Sequence, residues 1–201
     1  MKLNNRGMTL VEMIVAFAIL GIVSTSIFSM LLTGTKTYTK LTMTVKLQQK
    51  AQVATSNIER RILNCNGGLS YTTNADQDVL FLINEKTLAD NTVQKELQVV
   101  YLKKATKELY LSSPAIISGE NISLTFHLLA DDVEKMPVTL YRNGAATEVD
   151  RVSLSLGLIK NDINGNAIKQ TLEKTIALRN HPSAQYTCSL SGSSVQIGSS
   201  S

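Results

Sequence analysis

Residues 6–35 read RGMTLVEMIVAFAILGIVSTSIFSMLLTGT, and this stretch decides how the chain begins its fold. Within it, the run Met13–Leu32 has 20 residues and is apolar apart from four Ser or Thr residues. A helix of that length spans about 30 Å, the thickness of the hydrocarbon layer of a bilayer. We therefore predict a membrane-spanning helix, since the run is too long and too uniform for a buried core helix.

Charges around this run predict its orientation. Lys2 and Arg6 precede it, and Glu12 is the only charged residue between Met8 and Thr35. Positive charge before a span favours a cytoplasmic amino terminus, so we expect a single-pass protein with the rest of the chain outside the cytoplasm. A secretory signal peptide and a plain signal anchor have similar hydropathy, but neither needs the carboxylate of Glu12.

The order of residues around Glu12 carries a family resemblance. The sequence Arg6-Gly7-Met8-Thr9-Leu10-Val11-Glu12 resembles the class III signal of type IV prepilins and type II secretion pseudopilins. In that family a membrane-embedded prepilin peptidase cuts after the glycine and methylates the new amino terminus. The resemblance implies cleavage between Gly7 and Met8 and N-methylation of Met8, although the family more often has phenylalanine at that position.

The same resemblance gives Glu12 a role in assembly. A carboxylate costs about 2.5–3.5 kcal/mol at the centre of a membrane helix and less near its end. The dipole of the first helical turn offsets part of this cost, and a nearby cation would offset more. In the family, the matching glutamate meets the terminal amine of a neighbouring subunit and sets the register of the filament. We therefore expect Glu12 to act as an assembly and register residue.

The resemblance also implies partners and locations, because family members are cleaved in the membrane and then assembled into a filament. They are the prepilin peptidase, other pilin or pseudopilin subunits that pack through the amino-terminal helix, an inner-membrane assembly platform and the lipid bilayer. The protein is expected first in the cytoplasmic membrane and then in a pilus or pseudopilus at the cell surface.

An apolar stripe predicts that the helix continues beyond the membrane. Its residues recur at steps of three or four, as on one face of a helix, and they are Leu47, Ala51, Ala54, Ile58, Ile62 and Cys65. The cluster Asn64-Cys65-Asn66-Gly67-Gly68 is a stop signal. We therefore predict one long helix over residues 9–64, whose second half is amphipathic and packs on a sheet.

After Gly68 the apolar pattern changes to a period of two, which indicates strands. The predicted strands are Val79–Ile83, Leu97–Lys103, Glu108–Ser112, Ile122–Leu129, Val138–Arg142, Val152–Ile159 and Thr171–Leu178. Short links between them predict an antiparallel sheet with one face against the helix. The fold class is therefore α+β, a long helix on an antiparallel sheet, as in pilins.

These patterns predict three parts. Residues 1–7 form a leader peptide, residues 8–35 a transmembrane and filament-core helix, and residues 36–201 an extracytoplasmic globular domain. Within the domain we expect an amphipathic helix over 36–64, a mostly β-sheet region over 69–188 and a small, polar, flexible tail over 189–201.

The two cysteines, Cys65 and Cys188, leave two alternatives open. Outside the cytoplasm they could form a disulfide that closes a long loop. They could equally remain two separate thiols. Their spacing relative to the two histidines does not suggest a zinc site, so we predict no metal.

Composition and motifs favour a structural role over an enzymatic one. The formal charge of +4 is mild and has no dense Lys/Arg run, whereas nucleic-acid proteins usually show a clustered basic stripe. The sequence has no P-loop, dinucleotide-binding or G-x-S-x-G motif, and we expect no cofactor. An adhesive or DNA-capturing module on a pilus is the alternative, and a membrane-anchored enzyme is a third hypothesis.

A looser resemblance concerns the kind of subunit. Four short strings in the domain are similar to the larger minor pilins of the W and J types, namely Glu108–Leu111, Glu120–Phe126, Arg151–Leu156 and Ile176–Asn180. Many major pilins also have a kink-forming proline in the apolar helix, whereas the first proline here is Pro114. Both features favour a minor pilin or pseudopilin that starts, caps or tunes a filament.

Overall fold

The computed structural model describes residues 9–119, 121–142, 148–162, 165–182 and 186–199. The chain divides into two compact units, Met1–Met43 and Thr44–Ser201. One helix, α1 (Leu10–Asn64), contributes to both units. The two units are described separately below.

The first unit consists of the apolar part of α1. Its most apolar stretch is long and apolar enough to cross a membrane, and none of that stretch is buried within the chain. Several hydroxyl groups in this part bond to its own backbone: Thr25 Oγ1 donates to the Ile22 carbonyl at 2.8 Å and Ser26 Oγ donates to the same oxygen at 3.0 Å. These bonds give both hydroxyl groups a partner within an otherwise apolar surface.

In the second unit α1 buries the predicted stripe. Leu47, Ala51, Ala54, Ile58 and Ile62 are all buried, and the helix ends at Asn64 as the stop signal predicts. Thr55 is buried as well, although the apolar stripe does not include it.

Thirteen strands follow within the described residues. They are β1 (Gly68–Thr73), β2 (Gln77–Thr87), β3 (Val93–Lys103), β4 (Glu108–Ser112), β5 (Ala115–Ile116), β6 (Asn121–Ser123), β7 (Phe126–Ala130), β8 (Val133–Lys135), β9 (Val138–Arg142), β10 (Val149–Asn161), β11 (Ala167–Ala177), β12 (Tyr186–Ser191) and β13 (Ser194–Ser199). They form a six-stranded sheet in the order β1-β2-β3-β4-β7 with β5 beside β3, a four-stranded sheet in the order β11-β10-β8 with β9 beside β10, and a three-stranded sheet in the order β12-β13-β6. The antiparallel α+β fold class is thereby confirmed.

The six-stranded sheet is covered on both faces, and its strand β2 shows this most clearly. Successive residues of a strand point to opposite faces, so a strand buried on one face alternates between buried and exposed. In β2 every residue from Asp78 to Ile83 is buried. On one face Val79, Phe81 and Ile83 pack in a cluster with residues of the three-stranded sheet, including Val195.

The amphipathic part of α1 lies over the other face. Arg61 Nη1 donates to Gln98 Oε1 at 3.3 Å. Gln98 pairs with Leu82 across the β2–β3 ladder, so it shares a face with Leu82 rather than with Phe81. The four-stranded sheet also reaches the helix, because Lys174 on β11 forms an ion pair with Glu59 at 2.7 Å.

Two expectations about the strands need correction. The predicted strand Ile122–Leu129 is two strands, because the chain changes sheets between them: the Leu124 amide donates to the Ser193 carbonyl, whereas the Ser113 amide donates to the Thr125 carbonyl. The flexible tail predicted from residue 189 is, up to residue 199, part of the β12–β13 hairpin. Val195 is fully buried in the core, and Gly192 (φ 60°) supplies the left-handed turn residue of the hairpin.

Candidate functional site: the amino-terminal segment

The predicted processing residues lie at the start of the chain. Lys2, Arg6, Gly7 and Met8 fall outside the described residues. Cleavage after Gly7 and methylation of Met8 therefore stay predictions. The described part of the site begins at Thr9, directly before the first residue of α1.

Thr9 and Glu12 form a reciprocal cap at the start of α1. The Thr9 amide donates to Glu12 Oε2 at 2.9 Å, and the Glu12 amide donates to Thr9 Oγ1 at 3.3 Å. The Thr9 hydroxyl also lies 3.1 Å from the same carboxylate oxygen. The Thr9 carbonyl accepts the first helical bond, from the Met13 amide at 3.2 Å. This is a capping box, in which two groups without helical partners satisfy each other.

The capping box changes how Glu12 is understood. Within one chain its carboxylate already has a local partner, although the side chain is exposed. Sequence reasoning gave Glu12 a role between subunits and missed Thr9. The pattern Thr-x-x-Glu before an apolar run is itself a helix-start signal and could have identified Thr9. The arrangement holds the carboxylate at the start of the helix.

The surface that follows the cap is strongly apolar and exposed. Met30, for example, is 80% exposed, and Phe17, Ile22 and Phe28 are also exposed. A monomeric soluble protein rarely exposes a continuous apolar patch of this size, which marks a membrane or protein contact. The structure thus gives the segment an apolar surface that requires lipid or other helices around it.

Residues 2–28 match the family model described as the prokaryotic N-terminal methylation motif. The motif supports a type IV pilin-like or pseudopilin protein, and it implies processing by a prepilin peptidase and assembly with other pilins. The matched range contains Gly7, Met8, Thr9 and Glu12, whereas the globular unit lies outside it. No curated protein and no solved structure matches the chain.

Cys65 and Cys188 are both free and buried. The structure therefore contains two separate thiols instead of a disulfide. The Cys65 thiol donates to the carbonyl of Gly68 at 3.0 Å and approaches that of Ile83 at 3.3 Å. Cys188 packs in the core cluster that contains Val195. Burial raises the pKa of each thiol to about 11.

We expect both thiols to react slowly in the folded protein. At pH 8 a pKa of about 11 instead of 9.0 lowers the thiolate fraction about a hundredfold. Labelling with a maleimide at pH 8 should therefore be slow when the protein is folded and fast in denaturant. The stability linked to these thiols should persist below about pH 9 and decline as the pH rises towards 11. Rapid labelling of the folded protein would contradict the burial of Cys65 and Cys188.

A charged cluster that the sequence did not predict holds α1 to the sheets of the second unit. Lys50 forms ion pairs with Asp131 and with Asp132, the latter at 3.3 Å, and Lys160 on β10 reaches Asp132 at 2.9 Å. Partial burial taken alone lowers the pKa of Lys50, but the two carboxylates outweigh it and the pKa is raised. The hydrogen bond from Lys50 in turn lowers the pKa of Asp131. The sequence could not show that the turn after β7 meets this helix.

Each of the two histidines contacts a polar side chain. Ser113 Oγ lies 3.0 Å from His127 Nε2, and His181 Nδ1 lies 3.0 Å from Asp150 Oδ1. Among the described residues, neither pair has the third group that a Ser/His/Asp triad requires. The described residues also contain no cluster of three His, Cys, Asp or Glu that could hold a metal ion.

Proposed function

We propose that this protein is a minor pilin or pseudopilin, a structural subunit that helps to initiate, cap or tune a type IV pilus or a related secretion or competence filament. The observation that carries the proposal is the methylation motif over residues 2–28. It continues directly into a helix whose apolar side chains are exposed. Prepilin peptidase would remove residues 1–7 and methylate Met8.

In this proposal the apolar helix serves in two environments. It first anchors the subunit in the cytoplasmic membrane, with residues 36–201 outside the cytoplasm. Extraction into the filament then replaces lipid with the helices of other subunits. Glu12 would leave its local partner Thr9 and pair with the terminal amine of a neighbour, because two opposite charges attract more strongly in a low-dielectric core than a carboxylate and an uncharged amide do.

A minor subunit fits better than a major one for two reasons. No proline precedes Pro114 in the sequence, and α1 runs without interruption from Leu10 to Asn64. Retention of Glu12 supports a position below another subunit rather than at the extreme tip. The looser resemblance to minor pilins of the W and J types agrees with this placement. A type IV pilus, a type II secretion pseudopilus and a competence filament all use such subunits.

The second candidate is an adhesive or DNA-capturing module. DNA binding needs cations that are free to meet phosphates. Six described lysines instead lie in ion pairs with carboxylates of the same chain, and they are Lys50, Lys95, Lys104, Lys160, Lys169 and Lys174. This observation supports the assembly role over nucleic-acid capture.

Substitutions at Glu12 and Thr9 test the proposal and separate charge from capping. Glutamine at position 12 can still accept the Thr9 amide bond, so Glu12→Gln keeps the capping box and removes the charge. Glu12→Ala removes both, and Thr9→Ala removes the hydroxyl alone. We expect all three to be cleaved, and we expect both Glu12 variants to enter filaments at least about tenfold less than the native chain, a loss of about 1.4 kcal/mol or more.

The measurement is the share of mature protein in sheared filaments or in purified subunit complexes relative to the membrane. Thr9→Ala is the control for capping, and its incorporation should fall much less than that of Glu12→Gln. Normal incorporation of Glu12→Gln would show that the carboxylate acts as a cap only. Loss of cleavage in all three variants would instead place the defect before assembly.

A further inference from the structure

Strand β7 has a free edge in the second unit. It is the last strand of the six-stranded sheet, and among the described residues it pairs with β4 alone. Its sequence, Phe126-His127-Leu128-Leu129-Ala130, contains no Lys, Arg, Asp, Glu or Pro. The free backbone groups of such an edge are a template for another strand, and proteins protect them with charge, proline, short strands or bulges. Strand β7 is short and has a bulge, but it has neither charge nor proline. The outer strand β11, by contrast, carries Lys169, Glu173 and Lys174.

A bulge places apolar side chains on both sides of this edge. Leu109 pairs with Ala130, whereas the next residue, Tyr110, pairs with Leu128, so Leu129 is the extra residue of the bulge. A bulge changes the direction in which the neighbouring side chains point. Leu128 is 56% exposed on the side of Tyr110, and Leu129 lines a groove against α1. A strand added at this edge would cover both leucines.

The groove beside Leu129 is part of the same surface. It has a volume of about 370 Å³ and is lined on α1 by Lys46, Lys50 and Val53 and on the strand side by Leu129, Ala130 and Asp131. Val53 is 59% exposed although it lies next to buried turns of the helix. We call the set Leu128, Leu129, Val53 and Lys46 the β7 edge surface.

The charge on this surface is uncompensated. Asp131 forms an ion pair with Lys50, which weakens the attraction between its carboxylate and a second cation. Lys46 is exposed and has no ion pair among the residues that the structure describes. An occupant that follows β7 into the groove would therefore gain from a carboxylate near Lys46.

We propose that β7 accepts an extended segment of a different filament subunit, apolar where it faces Leu128 and Leu129 and carrying an Asp or Glu that reaches Lys46. Strand addition of this kind takes its affinity from backbone bonds and its specificity from alternate side chains. The inference rests on the proposed function, because it assumes that other subunits lie beside this one.

A second copy of the chain fits this surface less well. In an antiparallel pairing of β7 with the β7 of another copy, the residues before the partner's Phe126 would lie at the Lys46 end. Residues 121–125 read NISLT and contain no carboxylate. The pairing would therefore leave Lys46 without a counter-charge, which favours a different chain as the occupant.

Site-specific photocrosslinking of the full chain in its own cells tests the proposal. The photoreactive residue p-benzoylphenylalanine replaces Leu128 in one variant and Ile116 in the control. Ile116, on β5, is also 56% exposed and lies outside the β7 edge surface. We expect the Leu128 probe to crosslink to another prepilin-type subunit, through a peptide with alternating apolar residues and an Asp or Glu. The yield should be at least about tenfold above that of the Ile116 probe.

Charge variants make the test specific. Lys46→Glu should lower the yield of the Leu128 probe at least about fivefold, because the partner's carboxylate then meets a like charge. Arg60→Glu, at another exposed position of α1, should leave it unchanged. Equal yields from both probes, a crosslink only to lipid or to a second copy, or indifference to Lys46→Glu would each overturn the proposal. Cleavage and Glu12-dependent incorporation, measured in the same cells, report separately on the proposed function.

Discussion

A Gly7→Leu variant should accumulate in the membrane as the uncleaved chain of 201 residues. The physical reason is that a peptidase must draw the extended backbone close to its catalytic groups, and only glycine has no Cβ to obstruct that approach. We expect the mature fraction to fall at least about tenfold. In the proposed function assembly requires the new amino terminus at Met8, so this substitution should cause the largest loss of functional subunit.

Mass spectrometry of the membrane-extracted chain measures this result directly. Native protein should lack residues 1–7 and carry a methyl group on the amine of Met8, whereas the variant should retain Lys2 and Arg6. Loss of those two residues lowers the formal charge from +4 to +2, so isoelectric focusing gives a second readout.

Gly21→Leu is the matched control for Gly7→Leu. Gly21 lies within α1, and a Cβ added there has no neighbour within 4 Å among the described residues. Its substitution therefore tests a bulkier side chain in the same segment without touching the cleavage site. Mature protein of normal size from the Gly7→Leu variant would contradict the prepilin interpretation, as would equal loss of cleavage in the Gly21→Leu control.

The sequence predicted an element correctly where burial of one face was the single cause of its apolar pattern. The stripe from Leu47 to Ile62 predicted the buried face of α1. A helix that packs on a sheet buries one side of its surface, and apolar residues at steps of three or four lie on that side. The bounds of β4 and β9 agree with the predicted segments Glu108–Ser112 and Val138–Arg142. In these strands the apolar alternation begins and ends with the backbone pairing.

Strands were missed where small or polar residues hid the pattern. The hairpin β12–β13 is rich in serine and glycine, yet Leu190 and Val195 pair across it and Val195 is buried. The alternation from Ile122 to Leu129 continues through a change of sheets, so periodicity could not show that β6 and β7 are separate. Which strands pair, and which edge stays free, depends on contacts between residues far apart in the sequence.

The candidate site divides in the same way. The predictions for Glu12 and for the cleavage position rest on local sequence, because a leader, a glycine and an acidic residue at fixed spacing precede an apolar helix. The cap between Thr9 and Glu12 is also local and could have been predicted. The ion pairs of Lys50 with Asp131 and Asp132 could not, since 81 residues separate Lys50 from Asp131 along the chain.

An Ile58→Ala substitution should destabilise the globular unit more than any surface change on α1. Ile58 is 0% exposed at the centre of the buried stripe, and removing such a side chain leaves a cavity that costs about 2–5 kcal/mol. That loss should lower the urea midpoint of unfolding by about 1 M or more, because small domains lose about 1–3 kcal/mol per molar urea. Tyrosine fluorescence of the full-length chain in detergent can follow the transition, since the chain has six Tyr and no Trp.

Val53→Ala is the matched control for Ile58→Ala, because both remove methyl groups from the same helix. Val53 is 59% exposed, so its truncation should change the free energy of unfolding by less than about 0.5 kcal/mol. Equal effects of the two substitutions would contradict the packing of α1 on the sheets. A large effect at Ile58 alone would show that the helix continuing from the anchor is also a core element of the domain.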